Sequence, residues 1–358
     1  MAAFIISNRM FKFCFGLLLS GSIFSEIYAG EPERLFRSDE IVRIELKADF
    51  SAIEAERTKI AEYHDGELIY YAPDGNPVNL SVRLMPRGHF RRDTANCDFP
   101  PLAVDFKKGE VKNTLFENQN EIKLVTPCVS EKDVLDEYLI YKMYNKITDL
   151  SMNARLVKIL YFDTGTQKRL FERYSFFLEK KKDVAERNNC IVMDTMILPK
   201  DIDRENFKKF AIFQYMIGNG DWFFRLNVNN GANYLKLNRN FSILQSDDSS
   251  SIRYIVPYDF DLSSFVNAEY AGINKTKRKY KGLCFSQEEF NEVFAYFNQM
   301  RPEFESVINN AEYVSPGARR QLLNYLDDFY SIIEDPKMIQ KEFTEVCQDS
   351  PDVKFTIK

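Results

Sequence analysis

Apolar and polar residues alternate over much of the chain between about residues 40 and 110. The stretches IVRIELKADF, ELIYYAP and NLSVRLMPRG all follow a period of two residues. Such alternation is typical of strands that bury one face and expose the other. Short apolar runs continue the pattern as far as residue 127, so the sequence predicts a β-rich first part.

A helical period replaces the alternation at residues 131–147. Two strands around a glycine-containing turn are predicted over residues 154–181. Helical patterns return from about residue 203 and again over residues 286–345, with short strands between them. This order predicts an α+β fold with two lobes, the first β-rich and the second mostly helical, and a site between the lobes.

Composition and charge narrow the classes of function. Apolar residues make up 45% and charged residues 28%, so the chain can bury a core and is not of the disordered class. The formal charge of −5 argues against general nucleic-acid binding, which needs a clustered positive surface. The densest cationic run, NKTKRKYKG at residues 274–282, is interpreted as a solvated loop rather than a contact for a polyanion.

The N-terminus has the pattern of a secretory signal peptide. Arg9 and Lys12 precede an apolar run of about a dozen residues, and a cleavage site fits after Ala29. The run is shorter than the ~20 residues that a membrane span needs, although an uncleaved anchor is the alternative. Residues 1–29 are therefore expected to be removed, leaving a secreted or periplasmic protein with no integral membrane span.

Cysteine usage fits an oxidising compartment. Five of the six cysteines follow the signal segment, and their spacing matches no CxxC pattern of a structural zinc site. A bridge between Cys97 and Cys128 is the first expectation, although connectivity does not follow from sequence alone.

The residues that could carry chemistry are carboxylates, amides and a lysine. The only two histidines, His64 and His89, lie in no recognisable motif, and no nucleophile elbow, HExxH or Walker loop is present. Asp221 lies on a glycine-flanked loop after a predicted helix, where it could accept a proton from an attacking hydroxyl. Asp259 stands at the end of one predicted apolar strand, and Asn233 stands at the start of another. Their side-chain oxygens could therefore both be ligands of magnesium. Turn capping by Asp and Asn is the structural alternative.

A cationic group can be proposed opposite these acids. Lys123 lies in the strand-like EIKLV, and Glu137 falls on the apolar stripe of the following helix. A buried carboxylate needs a cationic partner, so Lys123 is expected to pair with Glu137 and to face phosphates, unless Glu137 lies at the exposed helix margin. The turn at Arg87 and Gly88 is expected to cover an anionic ligand or to be an ordinary cationic turn.

The order of these residues resembles that of the functional parts of the protein-kinase superfamily. In particular, the chain resembles the CotH family of atypical kinases, spore-coat proteins with relatives among secreted bacterial proteins. The matching stretches fall within about residues 80–272, a little over half of the chain. They are PRGHFRR with PPLAVDFKK, VLDEYLIYKMYNKIT, ARLVKILYFD, IGNGDW, NYLKL and VPYDFDLSSFVNAEYA.

The resemblance assigns a role to each candidate. It implies that Asp221 is the catalytic-loop aspartate, Asn233 the loop asparagine and Asp259 the metal-binding aspartate of a DFG-like turn. It also implies a Lys123–Glu137 pair and a nucleotide cover that contains Arg87 and Gly88.

The chain departs from the kinase pattern at several points. No His-Arg precedes the aspartate, no Gly-x-Gly-x-x-Gly loop is present, and the turn contains Asp-Phe-Asp instead of Asp-Phe-Gly. The interval from Asp221 to Asn233 is also longer than in kinases, which leaves Asn227, Asn229 and Asn230 as competing ligands.

The resemblance implies one kinase-like domain over residues 30–358, with an N-lobe at about 40–185 and a C-lobe at about 200–345. The implied function is phosphotransfer from Mg-ATP, with Mg²⁺ and ATP as cofactors, to a hydroxyl acceptor that we expect to be a protein. Two alternatives stay open. One is a catalytically inactive binding or structural envelope protein, and the other is a metal-dependent sugar-nucleotide transferase that uses the Asp-Phe-Asp segment.

Overall fold

The computed structural model describes most of the chain after the predicted signal peptide. The described ranges are 30–58, 61–193, 199–229, 232–238, 240–248, 250–274 and 278–347, and within them the side chains of 199, 223–229, 232–238 and 272–274 are not described. The predicted signal peptide, residues 1–29, lies outside these ranges.

Seven strands of the first half form a closed barrel. They are β1 (Val42–Ala48), β2 (His64–Tyr71), β3 (Pro77–Pro86), β4 (Leu102–Phe106), β5 (Glu121–Val125), β6 (Ala154–Asp163) and β7 (Lys168–Leu178). The strand order is β1-β2-β3-β4-β5-β7-β6, and the barrel closes through the parallel pair β1–β6, while the other neighbours are antiparallel. Closure leaves none of these seven strands as an edge.

The barrel interior follows from the two-residue period of the sequence. Alternate side chains of each strand point to the same face, so Leu46, Leu68 and Leu84 are buried together with Phe116 and Phe177. The rings of Phe116 and Phe177 meet edge to face, with centroids 5.5 Å apart. This cluster forms a core of the barrel that is separate from the core of the helical part.

The helices lie after the barrel strands or between them. They are α1 (Phe50–Glu56), α2 (Glu131–Asn145), α3 (Lys181–Arg187), α4 (Arg204–Met216), α5 (Gln287–Asn309), α6 (Pro316–Glu334) and α7 (Pro336–Ile339). Short 3-10 turns occur at Arg34–Phe36, Phe90–Arg92, Pro199–Asp201 and Glu269–Asn274, and a π-helical turn at Gln340–Thr344. Ser286 and Glu289 form a capping box that fixes the start of α5.

Two small sheets accompany the helices of the second half. One is the hairpin of β9 (Phe223–Asn229) and β10 (Ala232–Asn238). The other contains β8 (Cys190–Met193), β11 (Phe241–Ser246) and β12 (Arg253–Pro257) in the order β12-β11-β8. The described residues therefore confirm a mixed α+β fold with a large sheet in the first half and long helices in the second.

Helix α2 connects the barrel with the helical part. Its Tyr138 ring lies 6.0 Å from the ring of Phe176 on β7, whereas its Tyr144 ring lies 4.8 Å from that of Phe213 on α4. Ser130 caps the helix by accepting a hydrogen bond from the backbone N–H of Lys132. Because α2 is buried along most of its length, its polar residues must find partners inside the protein.

Two disulfides and one free thiol account for the cysteines in the described part of the chain. The expected bridge between Cys97 and Cys128 is confirmed. A second bridge joins Cys284 to Cys347, and Cys190 is buried and free. Over the described ranges, none of the helices combines the length and the apolar character that crossing a membrane requires.

Candidate functional site

The segment after β12 carries two aspartates around a buried aromatic ring. Phe260 is fully buried, and its ring lies 4.8 Å from that of Tyr141 on α2. Asp259 has a φ of 62°, a left-handed conformation that is uncommon outside glycine, and its N–H donates to the Tyr141 hydroxyl at 2.9 Å. The buried ring and this hydrogen bond together fix Asp259 against α2.

Lys123 reaches Asp259 from the barrel. Its Nζ lies 3.7 Å from Oδ1 of Asp259, and the two side chains are 21% and 38% exposed, so this ion pair borders solvent. Lys123 itself is held in the middle of β5, between Ala103 on β4 and Leu178 on β7. The barrel therefore presents a cation to the acid that follows β12.

Glu137 is paired with Arg91 instead of Lys123. The Nη1 atom of Arg91 lies 3.9 Å from Oε2 of Glu137 and 3.4 Å from Oδ2 of Asp261. The other terminal nitrogen of Arg91 donates to the carbonyl of Thr126 at 2.7 Å. Within the described ranges, Lys123 and Glu137 do not form the expected ion pair, because a second cation occupies the position beside the glutamate.

Arg91, Glu137 and Asp261 are buried, and burial shifts the pKa values of the two acids. Burial raises the pKa of Glu137, with a further increase from the charge of Asp261. Burial, together with Asp259, also raises the pKa of Asp261, although Arg91 and a hydrogen bond from Tyr270 oppose the shift. Two carboxyl groups thus share one guanidinium, and Oε1 of Glu137 is buried without a hydrogen-bond partner among the described residues.

Arg91 remains charged in this surrounding. Burial works against the charged guanidinium, but the neighbouring Tyr270, Asp261 and Glu137 outweigh it, and its pKa is raised. The guanidinium also lies 5.8 Å from the centroid of the Tyr270 ring. Arg91 is thus a buried positive centre that ties the segment after β12 to α2 and to the backbone after β5.

The Arg87–Gly88 turn lies between β3 and the turn that carries Arg91. Gly88 has a φ of 80°, and a Cβ built on it would meet open space, so the left-handed backbone is what favours glycine here. Burial lowers the pKa of Arg87, whereas Glu121 and Asp259 oppose the shift. Within the described part of the protein, its guanidinium makes neither a hydrogen bond nor an ion pair.

Asp221 lies on the loop that follows α4. At Gly218, where φ is 62°, an added Cβ would come within 2.9 Å of the Ser264 Cβ, so only glycine fits. The Gly218 carbonyl accepts a hydrogen bond from the Ser264 N–H at 3.0 Å, and Asn219 forms a bridge with Ser263. The loop that leads to Asp221 therefore runs beside the segment that carries the second aspartate after β12.

Asn240 is the amide that contacts Asp221. Its Nδ2 donates to the Asp221 carboxylate and to the Asp221 carbonyl, both at 3.0 Å. Its own carbonyl accepts the N–H of Tyr258, the residue before Asp259, at 2.9 Å. Asn240 is only 7% exposed and has a φ of 62°. Asn240 therefore links the Asp221 loop to the segment that carries Asp259.

Asn240 was not among the asparagines that the sequence pattern suggested. Asn240 stands directly before the strand that pairs with β12, and that position is the signal that could have found it. Asn233 lies in β10 opposite Val228, and its side chain is outside the described part of the structure. The side chains of Asn227 and Asn229 on β9 and the whole of Asn230 are also outside the described residues.

The fit of a magnesium ion can be judged from these donors. In the described part of the chain, no group of three or more Asp, Glu, His or Cys side chains could hold a metal ion. Magnesium, however, is commonly held by one or two carboxylates together with substrate phosphates. Asp259 is partly exposed, and Asn240 donates from its amide nitrogen, so its amide oxygen takes no part in these two hydrogen bonds. A carboxylate and an amide oxygen are the types of ligand that magnesium accepts beside phosphates.

A large polar cleft of about 1350 Å³ lies away from these residues. It is lined by parts of β2, β3, β4 and α3 and by the segment 107–120, and it contains none of the candidate site residues. Six basic and six acidic side chains line it, so its charge is balanced and favours no polyanion such as a nucleotide. The cationic contacts near Asp259 are the better candidate for phosphate.

The contacts among the described residues bring Lys123, Asp259, Asn240 and Asp221 into one connected group and place Glu137 beside it. Asp261 is buried against Arg91 and Tyr270, so Asp259 is the more accessible acid of the Asp-Phe-Asp segment. No model of a known protein family matches the chain, and a search of curated proteins finds no significantly similar sequence.

Proposed function

We propose that the protein is a kinase-like phosphotransferase that moves a phosphoryl group from Mg-ATP to a hydroxyl of a protein acceptor. The observation that supports it is the chain of contacts from Lys123 through Asp259, Tyr258 and Asn240 to Asp221. These contacts connect a cation, Lys123, with a proposed metal ligand, Asp259, and a proposed base, Asp221. Phosphoryl transfer requires such groups to position the reactants and to stabilise the charge of the transition state.

The same proposal includes a two-lobed, kinase-like division of the chain. The barrel would be the first lobe and supplies Lys123, and the helical part would be the second lobe and supplies Asp221 and Asp259. Helix α2 would lie between them with Glu137 on its buried face. We place the protein outside the cytoplasm, and the two disulfides favour such an oxidising compartment.

On the donor side, Lys123 would bind the phosphates. Its present partner, Asp259, would turn to the metal when Mg-ATP binds, which frees the ammonium group for phosphate oxygens. Asp259 and the amide oxygen of Asn240 would hold Mg²⁺, which neutralises the negative charge of the phosphates. Arg87, whose guanidinium has no ion-pair partner in the described residues, would add a second positive charge from the barrel side.

On the acceptor side, Asp221 would orient the attacking hydroxyl and accept its proton. The acceptor oxygen forms a bond to the γ-phosphorus, the bond from this phosphorus to the bridging oxygen breaks, and ADP leaves with the bonding electrons. Asn240 holds the carboxylate of Asp221 in place through its Nδ2.

The decisive experiment combines labelling with ligand-induced stabilisation on the full chain. Wild type incubated with Mg²⁺ and γ-labelled ATP should label itself or an added protein. A ligand at 100 times its Kd should stabilise the fold by ~2.7 kcal/mol. Asp259→Ala should lose both effects, whereas Asp328→Ala, an exposed acid on α6, should keep them.

Each contrary outcome has a distinct meaning. Equal labelling of wild type and Asp259→Ala would remove Asp259 from the site. No thermal shift with ATP and either Mg²⁺ or Mn²⁺ would contradict the kinase proposal and favour a non-catalytic binding protein. Stabilisation by Mn²⁺ with a sugar nucleotide, but not with ATP, would favour the transferase instead.

A further inference from the structure

The described end of the cationic run lies against the Asp221 loop. Arg278 donates from Nε to the carbonyl of Met216 at 3.1 Å, and Lys281 donates from Nζ to the carbonyl of Gly220. Between them Tyr280 is 1% exposed, and its hydroxyl donates to the Leu283 carbonyl at 2.9 Å. These residues do not form the solvated loop that the sequence suggested, while residues 275–277 lie outside the described ranges.

Lys281 makes no ion pair within the described part of the chain. Its side chain is half-buried, and among the described residues no carboxylate lies within 4.0 Å of its Nζ. Burial lowers the pKa of Lys281, as does the charge of Lys279, whereas Asp221 is the acid that opposes the shift. An ammonium group has three N–H donors, and the carbonyl of Gly220 takes one of them. No other acceptor among the described residues contacts the remaining N–H donors, so they can bind an anion beside Asp221.

We propose that Lys281 binds a carboxylate of the acceptor, so that the site selects a hydroxyl within an acidic peptide segment. This inference rests on the proposed function, because Asp221 must be the residue that the hydroxyl approaches. The donor phosphates already have a cation in Lys123, beside Asp259. Lys281 instead contacts the residue before Asp221, which assigns it to the acceptor.

The overall charge of the protein works against an acidic acceptor, so the attraction has to be local. A formal charge of −5 repels an acidic peptide at long range, so attraction must come from a few positive groups at the site. Lys279 is exposed two residues before Lys281 and adds to the positive field there. The acceptor should therefore have Glu or Asp next to its Ser or Thr.

The test compares three serine peptides that differ only in the residues beside the serine, which are Glu, Gln or Lys. With the full chain and Mg-ATP, wild type should show its lowest KM for the Glu peptide. Lys281→Met should raise that KM about fivefold, the loss of one partly screened ion pair, and leave kcat and the Gln peptide unchanged. Lys281→Arg should keep the preference. Lys182→Met, on α3, is the matched control.

A second measurement separates this inference from the phosphotransfer itself. The Glu peptide with alanine in place of its serine should bind wild type in fluorescence anisotropy and bind Lys281→Met about fivefold more weakly. Transfer to all three serine peptides with equal KM would overturn the inference and leave the proposed function intact. An equal fall in kcat for all peptides in Lys281→Met would show a structural role. Lys281-dependent binding without any transfer would remove the kinase proposal alone.

Discussion

Asn240 donates from one amide nitrogen to both the carboxylate and the carbonyl of Asp221, each at 3.0 Å. The two residues are 19 positions apart in the chain, and the hairpin of β9 and β10 lies between them. The contact holds Asp221 close to the segment that precedes Asp259, although the hairpin separates the two partners in the chain. Asn233 stays a prediction, because its side chain lies outside the described part of the structure.

Replacing Asn240 with alanine should disturb Asp221. Loss of the two hydrogen bonds should lower the free energy of unfolding by about 1–3 kcal/mol, because it leaves two acceptors of Asp221 without their partner. If Asp221 is the base, as proposed, its misplacement should lower the rate of the proposed phosphotransfer about 100-fold. Asn240→Asp should do at least as much harm, since it places two carboxylates together. Urea unfolding and labelling assays measure both effects, and Asn291→Ala, on the exposed face of α5, should change neither.

Replacing Arg91 with methionine should destabilise the protein strongly. The change leaves Glu137 and Asp261 buried without their cation, and breaking such a pair costs about 3–5 kcal/mol. Arg83→Met removes an exposed ion pair with Asp105 and should destabilise the fold much less, because solvent screens that pair. Urea unfolding near neutral pH measures both. Equal losses in the two variants would show that the Arg91 cluster is not a buried charge network.

Stability should fall as pH rises through the neutral range, and Glu137 should account for part of the slope. Burial raises the pKa of Glu137 in the folded protein, so the folded state binds this proton more tightly than the unfolded state. Its contribution to stability is present below the unfolded pKa and is lost as pH rises through the folded pKa. Each pKa unit by which the folded and unfolded states differ corresponds to about 1.4 kcal/mol of unfolding free energy.

The check is urea unfolding of wild type and Glu137→Gln between about pH 5 and pH 9. The glutamine variant should show a shallower fall in stability over this interval, because it cannot release the proton. Glu303→Gln, on the exposed side of α5, should retain the slope of the wild type. Parallel curves for wild type and Glu137→Gln would contradict the raised pKa.

Removing the bridge between Cys284 and Cys347 should weaken both the fold and the acceptor side of the site. The bridge spans 63 residues, so the double serine variant should lose about 4 kcal/mol of unfolding free energy. Lys281 lies three residues before Cys284, and its peptide preference should decline with the bridge. The Cys97–Cys128 bridge spans 31 residues, and its removal should destabilise the fold while leaving the peptide preference unchanged. Thermal unfolding and the serine-peptide assay measure these effects.

Local patterns predicted the parts of this protein that local physics determines. The two-residue period over β1, β2 and β3 and the helical period over α2 each correspond to an element of that type. These patterns report which face of an element is buried, and burial is what stabilises the element. The Cys97–Cys128 bridge is the pairing that was expected first in an oxidising compartment, although the sequence does not determine which cysteines pair.

The pairings within the site did not follow from the sequence, because they join distant parts of the chain. Arg91 and Asp261 are 170 positions apart in the chain. No local sequence pattern shows that Glu137 pairs with Arg91 and not with Lys123. The role of Lys281 has the same origin, since its contact with Gly220 spans 61 positions. Charge runs report composition, whereas the direction of a side chain depends on tertiary packing.

The closed barrel also fixes how the site can adjust to a ligand. Lys123 is hydrogen-bonded into the sheet between two neighbouring strands, in a barrel whose strands have no free edge to slide along. Asp259, by contrast, stands after the end of a strand with a left-handed backbone. The barrel therefore fixes the backbone of Lys123, so the ammonium group can change its distance from Asp259 only by rotation of the lysine side chain or by movement of the segment after β12.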